Sequence, residues 1–218
     1  MRVLALGAVL ITRVTVAQDD RSTLAGAIAL PWFLAYKFTN SLFLGLSIGS
    51  VFALYSPLPP SVFSAGGIGL ALATLVIATQ YHRLFNLLWF FRLSLLVELV
   101  VLAGVIAVLL YPVDQPLALF IYMGYQITFA LGSYLVRCET LLITEERRLA
   151  QLDISKQAGY LGGMGLSWAL YTLFEQHWGI AANLDQVVAL HWPLLFVEIA
   201  TVILLLLAFL PALYREPT

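Results

Sequence analysis

Long runs of apolar residues, separated by short polar punctuation, dominate the chain. A helix needs about 20 apolar residues to cross about 30 Å of hydrocarbon. A window of that width finds six runs, at residues 31–54, 61–80, 93–110, 116–136, 158–178 and 193–210. The first closes at Tyr55-Ser56-Pro57-Leu58-Pro59-Pro60, which cannot continue a helix. Tyr81-His82-Arg83 follows the second, Trp89-Phe90-Phe91-Arg92 precedes the third, and Tyr111-Pro112 stops it. Pro116 opens the fourth run and Pro193 the sixth. None shows the period-two alternation of a lipid-facing barrel strand, so helices are predicted throughout.

Composition agrees with this pattern. The 218 residues are 61% hydrophobic and 11% charged, with a mean hydropathy of +0.94. Soluble domains carry about 25% charged residues, so a water-soluble globule is excluded. A net charge of −1 and a pI near 6.3 give no basic surface for nucleic acid. Cys138, the single cysteine, excludes an intrachain disulfide, a CxxC pair and a cysteine-rich metal site.

Charge placement then sets orientation. With a cytoplasmic amino terminus and six spans, Arg2, Arg13, Arg21, Arg83, Arg92, Arg137, Arg147, Arg148, Lys156 and Arg215 all fall on the cytoplasmic side or at its edge. The outer loops, 55–60, 111–115 and 177–192, hold no Lys or Arg, as the positive-inside rule requires. The expected architecture is an all-α integral membrane protein. A cytoplasmic or interfacial segment, 1–30, precedes a six-helix transmembrane domain, 31–211, and a cytoplasmic tail, 212–218. Arg2 and the apolar stretch Val3–Leu10, with Thr15-Val16-Ala17 behind, outline a signal peptide. Arg13 interrupts the apolar region, and an uncleaved interfacial segment is the preferred reading.

Ionisable groups inside a bilayer cost about 2.5–3.5 kcal/mol each at its centre and are the sharpest functional signals. Lys37, Glu98 and Glu198 qualify. Lys37 and Glu98 fall about 8–9 Å inside the cytoplasmic boundary on parallel spans, so an ion pair is possible. Such a pair is either a fixed brace or a titrating couple, and Lys37 alone could snorkel. Glu198 falls at a similar depth from the outer side, with no basic partner in an outer loop. It reads as a proton carrier or as a lone acid bonded to a neighbouring helix. The link 137–157, which holds Glu139, Glu145, Glu146, Arg147, Arg148, Asp153 and Lys156, reads as a solvated cytoplasmic helix with weak local ion pairs.

Polar stripes run along two spans. Tyr122, Gln126, Ser133 and Arg137 share a face of the fourth, and Tyr160, Met164, Ser167 and Tyr171 share one on the fifth, continuing from Gln157 to Glu175. Lys37, Asn40, Ser41 and Ser47 cluster on the first. Such faces either line a polar cavity or hold helices together. Gly66, Gly67 and Gly69, and Gly159 with Gly163, permit close helix approach.

Catalytic readings fail. Gly45-Leu46-Ser47-Ile48 and Gly165-Leu166-Ser167-Trp168 lack the second glycine of a rhomboid-type Gly-x-Ser-Gly, and no histidine is expected deep in a span to serve as a base. Glu145-Glu146-Arg147-Arg148 has the wrong spacing for an intramembrane prenyl protease. His177, His191 and Asp185 share an expected outer loop but are too dispersed for a metal site. Neither catalysis, nor a cofactor, nor a bound metal is expected.

An internal repeat emerges when the fourth span is laid on the first at an offset of 87. Phe33 matches Phe120, Leu34 Ile121, Phe38 Tyr125, Ser41 Thr128, Leu44 Leu131 and Gly45 Gly132. The segment Phe33–Ser50, with Asn40, Gly45 and Gly49, and the run Gly159-Tyr160-Leu161-Gly162-Gly163-Met164-Gly165 carry a resemblance. With six spans and a charged link after the fourth, the chain resembles one half of a major facilitator superfamily transporter. The resemblance implies a three-plus-three repeat. It also implies a cavity lined by the first and fourth helices, with Asn40, Tyr122 and Gln126 as its walls, and a homodimer or a second membrane subunit to complete it. Gln157 and Tyr160 are further cavity candidates, and Lys37, Glu98 and Glu198 are the ion- or proton-coupling candidates. The expected function is alternating-access transport of a small solute across the bilayer, with a bacterial inner membrane as the expected setting. The alternative is a non-transporting membrane subunit that scaffolds a larger complex.

Overall fold

A computed structural model describes residues 28–213 apart from residue 144. The expected interfacial segment, the signal-peptide alternative and the end of the tail, Arg215 included, lie outside the described residues. Those described form eight helices and no strand. They are α1 (Leu30–Ser47), α2 (Ser50–Leu54), α3 (Pro60–Thr79), α4 (Tyr81–Leu84), α5 (Leu87–Leu110), α6 (Gln115–Leu142), α7 (Glu146–Gln176) and α8 (Asn183–Leu213). The chain is an all-helical membrane protein. Among the described residues α3, α5, α6 and α8 are long and apolar enough to cross a bilayer. The helices that carry the first and fifth expected spans, α1 and α7, fall short of that measure, because Lys37 and Asn40 interrupt the one, and glycines, tyrosines, Ser167 and Trp168 dilute the apolar half of the other.

Helix boundaries follow local chemistry. Pro31 and Pro60 stand in the first turns of α1 and α3, where a missing N–H costs nothing. Asn86 caps α5 by accepting from the Trp89 N–H at 2.9 Å, and Asp114 caps α6 by accepting from the Leu117 N–H at 3.0 Å. At the end of α7, Gly179 adopts φ +65°, and the Ile180 N–H bonds the Phe174 carbonyl at 2.9 Å.

Five of the runs depart from their expected bounds. The first run is two helices: Ser47 and Ser50 donate to the carbonyls of Leu44 and Ser47, at 3.2 and 2.6 Å, and the chain turns between them. The third starts at Leu87, six residues early, because Asn86 supplies the cap. The fourth runs on to Leu142, and the fifth begins at Glu146, so the link is mostly helix. Pro193 lies inside α8, which begins at Asn183, so the expected outer loop is half helical.

Packing arranges the long helices in the order α7, α1, α8, α5, α6, α3, each against its neighbours in that series. The α1–α7 crossing is the tightest. A Cβ on Gly159 would stand 2.2 Å from the Phe38 carbonyl, one on Gly163 the same distance from that of Leu42, and one on Gly45 from that of Tyr160. These glycines pack within the chain. In contrast α3 has no buried residue, packs substantially on α6 alone among the long helices, and presents Gly67 and Gly69 to open space.

Two apolar clusters divide the bundle by height. One gathers Phe33, Tyr36, Phe90, Tyr134, Leu205 and Phe209. The other gathers Phe43, Leu46, Val105, Phe174, Leu190 and Leu194. The two are separated on α1 between Tyr36 and Phe43, on α5 between Phe90 and Val105, and on α8 between Leu194 and Leu205, and within those stretches lie Lys37 and Asn40, Glu98, and Glu198. The polar residues thus form a layer between two greasy floors.

Candidate functional site

Three of these elements deliver the layer's charges to one height. Glu98 stands eleven residues into α5, about 16 Å along its axis, because the helix starts earlier than expected. Glu198 stands fifteen residues into α8, about 22 Å from its start. Expected near opposite faces, the two carboxyls meet at mid-height on one cavity. Both are buried, Glu98 at 1% exposure and Glu198 at 0%. The Tyr36 hydroxyl donates to Glu98 at 2.6 Å, and the Asn40 Nδ2 lies 3.1 and 3.2 Å from its two oxygens. Glu198 abuts Glu98, and among the described residues neither Glu198 oxygen has a hydrogen-bond donor.

The expected Lys37–Glu98 ion pair does not form. Lys37 instead pairs with Glu139 near the end of α6, and Glu139 also binds Lys156 of α7. Lys37 and Glu139 are buried, and Lys156 is partly exposed. One carboxylate therefore clips α1, α6 and α7 together at one end of the cavity. Reading 137–157 as a solvated link hid this, since Glu139 is a continuation of α6 into the bundle. The surface reading does hold for Glu145, whose carboxylate meets Arg148 at 2.5 Å with both side chains about half exposed.

The cavity has a volume of about 570 Å³ and lies between α1, α5 and α8 on one side and α6 on the other. Phe43, Leu44, Val97, Val101, Tyr125 and Phe129 supply its apolar and aromatic walls. Ser41, Thr128 and Ser133 add hydroxyls, and Arg137 stands exposed at the rim with its guanidinium over the Tyr81 ring. Neither α1 nor α7 packs substantially on α6, so the cavity is open on that side beyond the Glu139 clip.

The expected site residues divide. Lys37, Asn40, Glu98 and Glu198 all line this cavity. Tyr122 and Gln126 face the other way, into an apolar groove of about 700 Å³ between α6 and α3. There the Tyr122 hydroxyl donates to the Phe63 carbonyl at 3.3 Å, while the buried Gln126 Oε1 has no partner among the described residues. Gln157 is exposed, and Tyr160 packs its backbone on Gly45 of α1. Neither lines the polar cavity. The stripe runs along the edge of α6 between chamber and groove: Ser133 and Arg137, nearer the Glu139 clip, reach the chamber, whereas Tyr122 and Gln126, nearer the start of the helix, line the groove against α3.

His191 also departs from expectation. It is buried inside α8, and its Nδ1–H donates to the Val187 carbonyl at 2.7 Å. With Ser47, Tyr125 and Thr128 it lines a smaller cavity of about 210 Å³, which shares Tyr125 and Thr128 with the larger one. No group of three metal-ligating side chains occurs among the described residues.

The arrangement presents a buried carboxyl pair, an aromatic-walled chamber and an ionic clip across three helices. Nothing in it provides a nucleophile beside a base. Comparison of the chain with protein-family models, with curated proteins and with solved structures finds no match.

Proposed function

We propose that this chain is half of a transporter, carrying a small solute by alternating access with protons as the coupling ion. The carrying observation is the chamber of about 570 Å³ at mid-height, walled by charged and aromatic side chains and open between α1 and α6. Charges at that depth are costly and mark substrate or ion pathways. In this reading α1 and α7 cross the bilayer with the other four long helices, both ends of the chain face the cytoplasm, and the setting is a bacterial inner membrane.

Packing supports the three-plus-three repeat and hence the likeness to a major facilitator half. Exchange the first three long helices, α1, α3 and α5, with the last three, α6, α7 and α8. The contact α1–α7 then becomes α6–α3, α1–α8 becomes α6–α5, and α5–α8 maps onto itself. Every principal helix contact has its mate. The segment 80–86, where that family carries a glycine- and arginine-rich signature, is held here by aromatic contacts instead. Tyr134 donates to the Leu84 carbonyl at 2.6 Å, and its ring stacks on Phe85.

A second copy of the chain, or another membrane subunit, would close the open side of the chamber. The exposed α3 suits that role, since among the described residues it packs substantially on α6 alone and buries none of its own. The rival reading, a scaffold subunit, draws on one observation: Tyr36, Asn40 and Lys37 spend their polar groups on carboxylates of the same chain. Native mass spectrometry of the nanodisc-embedded protein separates the two. A dimer is expected, and a strict monomer would leave half a pathway and favour the scaffold.

A further inference from the structure

We propose that the chamber binds a protonated amine carried on an apolar or aromatic body, its ammonium seated against the Glu98 and Glu198 carboxyls. The inference rests on the chamber being a ligand site and names the class of ligand.

Hydrogen-bonding capacity comes first. Glu98 draws on Tyr36 and Asn40, but the described residues offer Glu198 no donor beyond the Glu98 carboxyl that it abuts, although the side chain is wholly buried and lines the chamber. An unmet buried acceptor is costly, and for a carboxylate more so. Of the described residues, the lysines that line the chamber do not serve it, because Lys37 and Lys156 both bind Glu139. The complementary ligand group is a hydrogen-bond donor with positive charge. A ligand carboxylate or phosphate would set lone pairs against lone pairs.

Charge counting gives the valence. The groups facing the pair are Tyr36, Lys37 and Asn40 from α1, Tyr125 and Glu139 from α6, and Lys156 from α7, with Arg137 outside them at the exposed rim. Three carboxyls thus confront two lysines, and a single positive charge balances the cluster. The walls give the body. Phe43, Leu44, Val97, Val101, Tyr125 and Phe129 offer apolar and aromatic surface rather than the oxygen cage a metal cation needs. Aromatic faces attract ammonium groups directly. In the empty chamber a proton shared by Glu98 and Glu198 balances the charge. As the ammonium enters, that proton leaves to water, so the exchange is one positive charge for another.

The test uses the full chain in nanodiscs with tryptamine as the probe and indole-3-propionate as its acidic counterpart. Saturable tryptamine binding is expected, with about one proton released per amine bound in weakly buffered medium and no binding of the propionate. Glu198→Gln should weaken tryptamine at least tenfold. Leu44→Trp, which narrows the chamber at a half-exposed wall position and leaves the carboxyls intact, should weaken it as well. Absent tryptamine binding, equal binding of the propionate, or full affinity in both variants overturns the proposal. Binding without accumulation in proteoliposomes upholds the ligand class and removes the transport reading. Accumulation of another solute without amine binding does the reverse.

Discussion

Glu139 is the residue on which the most depends. Removing its charge strands two lysines, one of them buried, and breaking such a buried pair costs about 3–5 kcal/mol. Glu139→Gln should therefore lower the thermal unfolding temperature in detergent sharply, while Lys156→Ala, at a partly exposed partner, lowers it little because Lys37 still balances the carboxylate. Equal losses from the two variants would show that Glu139 is not the shared anchor. Tyr36→Phe deletes a 2.6 Å bond to a buried carboxyl and should cost about 1–3 kcal/mol by the same measurement. Gln126→Leu should be neutral or stabilising, since the Oε1 it removes is buried without a partner.

Elements are held apart or together by their small residues. Gly159→Leu puts side-chain atoms where the Phe38 carbonyl already stands, so α1 and α7 must separate. The expected result is a loss of about 1–3 kcal/mol or more and a longer spin-label distance between the two helices. Gly69→Leu, facing open space on α3, should change neither. An unchanged distance in the Gly159 variant would contradict the close crossing. At this scale the apolar runs were legible because length alone specifies a span: α3, α5, α6 and α8 all fall on predicted runs. Their ends were less so. Proline was read as a helix start at 193, yet α8 carries Pro193 in its interior and begins ten residues earlier. The intramembrane charges Lys37, Glu98 and Glu198 were found by their cost in hydrocarbon, but their partners were not. Pairing depends on where helices begin and how they are rotated, and an apolar sequence encodes both weakly. Glu139 escaped because charged neighbours made it look solvated, and Tyr122 and Gln126 were placed in the chamber by the family resemblance, whereas their part of the α6 stripe borders the groove against α3.

For the whole molecule, the open side between α1 and α6 decides between a pathway and a scaffold. Alternating access requires water and solute to reach the chamber from each face of the membrane in turn. A scaffold needs no such exposure. The most direct measurement is labelling of Ser41→Cys, which lines the chamber, in a Cys138→Ser background with a membrane-impermeant thiol reagent applied from either side of proteoliposomes. The transport account predicts modification from both sides. Modification from one side only, or from neither, would contradict it.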